Sequence, residues 1–252
     1  MKAIILAAGR GTRLEKYTKG MPKGMLKVFG KPLIGRQIEI YRRCGIKDIA
    51  IVTGYMADKI NFSGVKYYNN KNYERTNMVA SLFCVENELN EDIIVSYADI
   101  LFEKNILNRL IHYPGDIVVT VDVGWKDYWK ARFGDIDVDT ESLVLEKDKI
   151  LELGKPNPQK EKLDARYVGL IKFSKNGIED IKKIYHQKEK MFQKAYMTDL
   201  LQALIDSKIT VKALKINHGW LEFDTVEDYE RSNELMHFLT GQNIGLTDIK
   251  NK

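Results

Sequence analysis

The chain opens on an apolar run over residues 2–6 that gives way to Ala7-Ala8-Gly9. A short, unbroken apolar run closed by small residues predicts a strand buried on both faces and emptying into a loop. Ile34, Ile38, Tyr41 and Cys44 then recur at helical spacing, with Pro32 ahead and Gly45 behind, which predicts a helix over residues 33–44. Further apolar runs predict strands over residues 48–53, 65–68 and 93–97. Between the last two, Met78, Leu82, Val85 and Leu89 mark a helix over residues 77–89. Strand and helix alternate, the pattern of a mostly parallel sheet covered by helices.

The second half is more mixed. Strands are expected over residues 117–123 and 167–173, with two short runs, 143–146 and 150–153, flanking a Lys147-Asp148-Lys149 turn. Helices over 178–188 and 198–207, strands over 211–216 and 220–223, and a closing helix over 226–239 complete the pattern. The expectation is one α/β domain over residues 1–240 with a small antiparallel-rich insertion at about 120–170, then a polar, frayed tail over 241–252. No apolar run approaches the ~20 residues of a membrane span, and Arg10 and Arg13 follow the first run with no cleavage-site pattern. Cys44 and Cys84 make neither a disulfide framework nor a metal-ligand spacing, and the four histidines form no ligand spacing either. A reducing cytoplasm is the expected compartment, with no membrane partner.

The net charge of +5 changes its meaning once it is located. Residues 10–31 hold seven basic side chains against Glu15 alone, a local charge of +6, and the rest of the chain sums to −1. A nucleic-acid binder spreads its basic residues over a broader face. A surplus this compact points to a small polyanion, and Gly20, Pro22, Gly24 and Gly30 argue against reading the stretch as one solvated helix. Gly9-Arg10-Gly11-Thr12-Arg13 follows the first strand, but a dinucleotide fingerprint needs a glycine where Leu14 stands, and the Walker loop's Gly-Lys-Ser/Thr is missing. What remains is a glycine turn whose backbone N–H groups approach phosphate oxygens, flanked by Arg13 and Lys23.

The segment LAAGRGTRLEKYTKGMPKGMLKVFGKPLI resembles the signature of nucleotidyltransferases that activate sugar phosphates and related small phosphate esters. The resemblance continues more weakly through VTGY, SYADI, ELGKP and WLEFDT. It implies a Rossmann-like three-layer nucleotidyltransferase fold, a nucleoside triphosphate, Mg²⁺ or Mn²⁺, and release of pyrophosphate. Carried over residue by residue, it puts Leu6, Ala8, Gly9, Gly11, Thr12, Arg13, Lys23 and Gly54 around the nucleotide. Arg13 and Lys23 are the catalytic pair on this match, Arg13 at the leaving phosphates and Lys23 near the α-phosphate. Asp99 and Asp224 are the matching metal carboxylates, with Glu222 as a carboxylate behind them.

Where sugar-phosphate members read the base with a Gln-rich, Gly-Thr-Ala-like segment, this chain has NNKNYERTNMVASLFC. That stretch resembles cytidylyltransferases that activate phosphocholine and similar phosphate or phosphonate compounds, and TNMV and YMTDLLQALI resemble phosphoglutamine-activating members. On that match Tyr73, Asn77 and Ser81 lie beside the base or the acceptor, although Asn77 equally suits a helix N-cap. Trp125, Trp129, Tyr167, Tyr196 and Trp220 are candidate acceptor-side aromatics suited to a cationic group, and packing is the competing explanation for each. Lys155 has the best claim among the basic residues near the acceptor, ahead of Lys126, Lys130 and Arg132. The expected activity is cytidylyl transfer from CTP to a small phosphate or phosphonate acceptor in capsule or cell-surface polysaccharide modification, and a homo-oligomer is a further expectation. The alternatives are a sugar-1-phosphate nucleotidyltransferase using UTP, dTTP or CTP, and a non-catalytic nucleotide-sensing subunit.

Overall fold

The computed structural model describes residues 1–240, so the tail expected over 241–252 lies outside the described residues. The strands are β1 (Lys2–Ala7), β2 (Lys27–Val28), β3 (Lys31–Pro32), β4 (Asp48–Thr53), β5 (Lys66–Asn69), β6 (Ile93–Tyr97), β7 (Ile100–Phe102), β8 (Ile117–Asp122), β9 (Glu141–Glu146), β10 (Lys149–Pro156), β11 (Arg166–Phe173), β12 (Lys212–Ile216) and β13 (Trp220–Glu222). Nine of them form one sheet in the order β5-β4-β1-β6-β11-β8-β12-β10-β9. β5, β4, β1 and β6 run parallel, β8 and β12 run parallel, and β11 is antiparallel to both its neighbours.

The sheet is buried on both sides, as an all-buried β1 requires. Ala3, Ile5 and Ala7 enter one core with the helices Leu33–Arg43, Lys104–His112, Trp125–Phe133 and Ser232–Thr240. Ile4 and Leu6, on the alternate face, enter a second core with Met78–Phe83, Lys175–Gln187 and Met197–Asp206. Period-two alternation thus gives helix, sheet and helix, the three layers expected.

The antiparallel hairpin expected within the insertion is β9–β10, and it joins the main sheet through the pairing of Lys149 with Lys212. Three differences from the sequence reading have physical causes. The helix expected over 77–89 stops at Phe83, and Glu86–Glu88 is a separate 3-10 turn. The closing helix breaks in two at Arg231, whose Nη1 donates to the carbonyl of Ala131 (2.8 Å). Helix Trp125–Phe133 is absent from the expected elements because its buried positions, Trp125, Tyr128, Trp129 and Arg132, look like scattered aromatics among charges. They recur at i, i+3, i+4 and i+7, one helical face.

Candidate active site

The carboxyl edge of β1 and β6 carries the site, as it does in open α/β sheets. β1 ends at Ala7, and beyond it the N–H groups of Gly9, Arg10 and Gly11 find no acceptor among the described residues. Gly11 has φ 67°, and a Cβ there would stand 2.8 Å from Lys23 Cβ. Only glycine satisfies both demands, and the close approach keeps Lys23 against the loop. Gly54, at the end of β4, is similarly confined: a Cβ would meet the Ala8 carbonyl oxygen at 2.7 Å and Tyr73 Cβ at 2.8 Å.

A two-stranded antiparallel ribbon brings the carboxylates together. β7 pairs with β13, Ile100 opposite Glu222, and the Phe223 N–H donates to the Asp99 carbonyl (3.0 Å). Two residues distant in sequence thus flank one point. Lys23 Nζ lies between them, 2.6 Å from Asp99 Oδ2 and 2.5 Å from Asp224 Oδ1, and Arg13 Nη2 lies 2.5 Å from Asp224 Oδ2. Burial opposes the Lys23 charge, but the two carboxylates outweigh it and hold its pKa above the ordinary lysine value. Asp224 is pushed up by its own burial and by Glu222, against the pull of Lys23.

Gln37 and Asp228, which the sequence reading does not single out, hold this geometry. Buried Gln37 donates to the carbonyls of Tyr97 and Ile100 (2.7 Å each) and accepts from Ser96 Oγ (2.8 Å), pinning the turn that carries Asp99. Buried Asp228 accepts from Arg132 Nε and Nη2 (2.7 and 2.6 Å) and from the N–H groups of Asp224 and Thr225 (3.0 and 2.9 Å). Arg132 also reaches Glu222 (2.7 Å), which ties Glu222 back and leaves it behind Asp99 and Asp224. Burial would raise Glu222, but Arg132 and Arg166 outweigh it and lower its pKa. Arg132 is therefore a buried structural cation, not an acceptor ligand. An i, i+3 Thr225/Asp228 capping box is the signal that marks Asp228 in the sequence.

The loop, Lys23, Asp99 and Asp224 line a cavity of about 410 Å³. Leu6, Ala8, Gly9, Gly11, Thr12, Arg13, Tyr73, Asn77, Ser81, Tyr196 and Glu222 line it too, with Gly54 just behind Ala8 and Tyr73. Asn77 caps helix Met78–Phe83, its Oδ1 accepting from the Met78 N–H (2.9 Å). The Ser81 hydroxyl accepts from Asn70 Nδ2 (3.0 Å) and donates to the Asn77 carbonyl (3.2 Å). Asn70, buried and absent from the sequence reading, also reaches Thr76 Oγ1 (2.9 Å) and so shapes this wall.

A second cavity of about 490 Å³ adjoins the first and shares Arg13, Tyr97, Tyr196, Glu222 and Asp224 with it. Tyr167 lines this second space, its hydroxyl 3.2 Å from that of Tyr97. Two acceptor-side expectations are corrected here. Trp125 is 1% exposed and sits in the core, edge-on to Trp129, because it lies on the inward face of its helix. Lys155 turns its side chain to solvent and pairs with Glu152, outside both cavities. Trp129 and Trp220 are core residues as well, while Lys126 and Lys130 are exposed.

The carboxylate pair fits a divalent cation. Asp99 Oδ1 is buried without a hydrogen-bond partner, and the Lys23 ammonium already shows that one cation reaches both carboxylates. Among the described residues no group of three or more His, Cys, Asp or Glu side chains is placed to bind a metal. Two hard oxygen donors, completed by phosphate and water, suit Mg²⁺ or Mn²⁺ better than a softer ion. No helix of the described residues is long and apolar enough to cross a membrane.

With this geometry in view, relatives identify the chain's family. Residues 3–171 match the model of the MobA-like NTP transferase domain. The chain is 36% identical over 248 residues to a CTP:phosphoglutamine cytidylyltransferase of Campylobacter jejuni, covering 91% of this chain and 98% of that protein. It is 40% identical over 114 residues to a choline-phosphate cytidylyltransferase of Streptococcus pneumoniae, covering 44% of this chain and 50% of that one. The structure of a CTP:phosphocholine cytidylyltransferase from S. pneumoniae superposes with a TM-score of 0.75 at 26% identity, covering 93% of this chain and 98% of the other. The chain is an enzyme of the nucleotidyltransferase class and belongs to the MobA-like NTP transferase domain family.

Proposed function

We propose that this protein transfers a cytidylyl group from CTP to a small phosphate or phosphonate acceptor and releases pyrophosphate. The observation that carries this reading is the Arg13–Asp224–Lys23–Asp99 cluster at the junction of two adjoining cavities. A triphosphate and a second phosphate meet there. The relatives support the choice of nucleotide and acceptor class: those named above act on phosphoglutamine and choline phosphate, and a further one is a CMP-5'-(3-aminopropyl)phosphonate synthase.

In this reading an acceptor phosphate oxygen donates its electron pair to the α-phosphorus of CTP. The bond from that phosphorus to the oxygen bridging to the β-phosphate breaks on the opposite side, and the pair leaves with pyrophosphate. The free N–H groups of Gly9, Arg10 and Gly11 receive phosphate oxygens, and Arg13 holds the leaving β and γ phosphates with its planar fork. Lys23 stabilises the charge that builds on the α-phosphate oxygens. Asp99 and Asp224 would hold Mg²⁺ or Mn²⁺, which when bound neutralises phosphate charge and orients the reacting groups. Tyr73 and Asn77 flank the nucleotide cavity on the side where the base is read, while Ser81 is committed to Asn70 and shapes the wall. We place the reaction in the cytoplasm, where nucleoside triphosphates are made.

The test is pyrophosphate release with Mg²⁺, each of four nucleoside triphosphates and a panel of acceptors including phosphocholine, phosphoglutamine and glucose 1-phosphate. Turnover with CTP and a phosphate ester or phosphonate is expected. Turnover confined to UTP or dTTP with a sugar phosphate would replace this reading with the sugar-phosphate one. No pyrophosphate from any pair would identify a nucleotide sensor.

A further inference from the structure

The phosphate loop turns on one peptide. Gly11 sits at φ 67° and ψ 46°, a left-handed conformation that glycine enters and leaves without the Cβ penalty other residues meet. The peptide joining Gly11 to Thr12 is therefore the easiest in the loop to turn over. Its carbonyl accepts from the Leu14 N–H (3.1 Å) and from the hydroxyl of buried Thr18 (3.1 Å), which also lies 3.0 Å from the Leu14 carbonyl. A trans peptide points its N–H opposite to its carbonyl. With the carbonyl held inward, the Thr12 N–H faces the cavity that Gly11 and Thr12 line, and it finds no acceptor among the described residues.

Turned over, the same peptide would aim its carbonyl oxygen at the cavity, where the negative end of the dipole would meet phosphate oxygens. Three contacts oppose that turn. Lys23 packs against Gly11, but its ammonium is committed to Asp99 and Asp224 and does not hold the carbonyl. The Leu14 N–H closes a 3-10 turn of three residues, whose hydrogen-bond geometry is poorer than a helix's. Among the described residues Thr18 is the one side chain that bonds the Gly11 carbonyl. A threonine in a helix bonds the carbonyl four residues back as a matter of course, and its contact with Leu14 is of that kind. The reach to Gly11, seven residues back, goes outside helix Glu15–Thr18 and into the loop.

Resting on the reading of this loop as the triphosphate cradle, we propose that Thr18 is a positioning residue for the β and γ phosphates. Its hydroxyl keeps the Gly11–Thr12 peptide turned so that the Thr12 N–H joins those of Gly9, Arg10 and Gly11 in receiving phosphate oxygens. Thr18 touches no substrate and acts through the backbone. Thr12 stands next to Arg13, so the N–H it presents serves the phosphates that leave, and the pin bears on the tail of the nucleotide instead of its base. Without the pin, loops with the peptide turned over compete with the binding form, and apparent affinity falls with the fraction that remains competent. Saturating nucleotide restores that fraction, so the loss belongs in KM and not in kcat.

The experiment measures the dissociation constants of CTP, pyrophosphate and CMP in Mg²⁺ by calorimetry, for the wild type, Thr18→Val and Thr18→Ser. Valine keeps the shape of the side chain and removes the donor, whereas serine keeps the donor. Thr18→Val should weaken CTP and pyrophosphate by ~3–10-fold, the worth of one net hydrogen bond, and CMP by less than about twofold. Thr18→Ser should bind all three as the wild type does. Thr18→Ala removes the same hydroxyl with less bulk and carries the test if the valine variant does not fold. A Thr18→Val variant that melts lower yet binds CTP and pyrophosphate like the wild type would overturn the proposal and leave Thr18 a packing residue. Equal weakening of CTP, pyrophosphate and CMP would overturn it as well, and so would a serine variant that behaves like valine. A wild-type protein that binds neither CTP nor pyrophosphate would instead overturn the cradle reading on which the proposal rests.

Discussion

Replacing Lys23 with alanine separates two roles that one side chain holds. In the protein as described, its ammonium is the shared counter-ion of Asp99 and Asp224, at 2.6 and 2.5 Å. Breaking a fully buried ion pair by deleting one partner costs about 3–5 kcal/mol. Here the side chains of Lys23, Asp99 and Asp224 keep 12, 19 and 10% of their exposure. Water therefore screens part of the cost, and ~1–3 kcal/mol is the expected loss without metal. With Mg²⁺ present, a cation returns to the same carboxylates and much of that loss is recovered. The variant should thus gain more melting temperature from Mg²⁺ than the wild type does. Catalysis should not recover, because no group replaces the charge beside the α-phosphate. Removing one preorganised stabiliser of developing charge costs about 2.7–4 kcal/mol, roughly 10²–10³ in kcat. Pyrophosphate release at saturating CTP, paired with thermal melts in EDTA and in Mg²⁺, reads both effects. A kcat within about threefold of wild type would remove Lys23 from the chemistry, and an Mg²⁺ shift no larger than the wild type's would refute the shared-cation argument.

Three further outcomes follow from the geometry. Asp228→Ala strands the buried Arg132 guanidinium with Glu222 alone and frees the Asp224 N–H, so denaturant titration should show a loss of about 3–5 kcal/mol; a loss under 1 kcal/mol would contradict the network. Gly54→Ala drives a Cβ against the Ala8 carbonyl and Tyr73, so overpacking should cost ~1–3 kcal/mol in melts and raise KM for CTP more than it lowers kcat. Glu88 accepts from buried Lys2 and from Tyr68, and these bonds hold its pKa at about 2, below the unfolded value of about 4.3. Its stabilisation is therefore complete above the unfolded pKa and is lost as pH falls from about 4.3 towards 2. Glu88→Gln should flatten the fall in melting temperature over that acid limb, and a limb unchanged in the variant would count against the assignment.

Most of the sheet was legible because its strands are buried on both faces and read as unbroken apolar runs, as in β1, β4 and β6. The phosphate loop was legible through glycine placement and localised charge. What stayed hidden depends on contacts between distant segments. Gln37 reads as a polar residue on a helix until the turn at Asp99 packs on it. Trp125 and Trp129 look alike as aromatics, yet one fills the core and the other also carries the Arg166 guanidinium. Arg166 itself gives no local signal, since its stack on Trp129 and its place in the second cavity come from segments distant in sequence. Helix Lys104–His112 lies outside every expected element although Ile106, Leu107 and Leu110 form a buried face, because nine residues carry too few turns to stand out beside the polar ones.

On the proposed mechanism, an acceptor phosphate attacks the α-phosphorus of CTP at the Arg13–Lys23 cluster. CTP labelled at the α-phosphate tests it most directly, by following the label into product with CTP, UTP, ATP and GTP in parallel. Label should leave with a CMP–acceptor anhydride while unlabelled pyrophosphate appears in equal amount, with CTP favoured by about tenfold or more over each other nucleotide. Label retained in free CMP or CTP, or transfer from UTP at least as fast as from CTP, would contradict it.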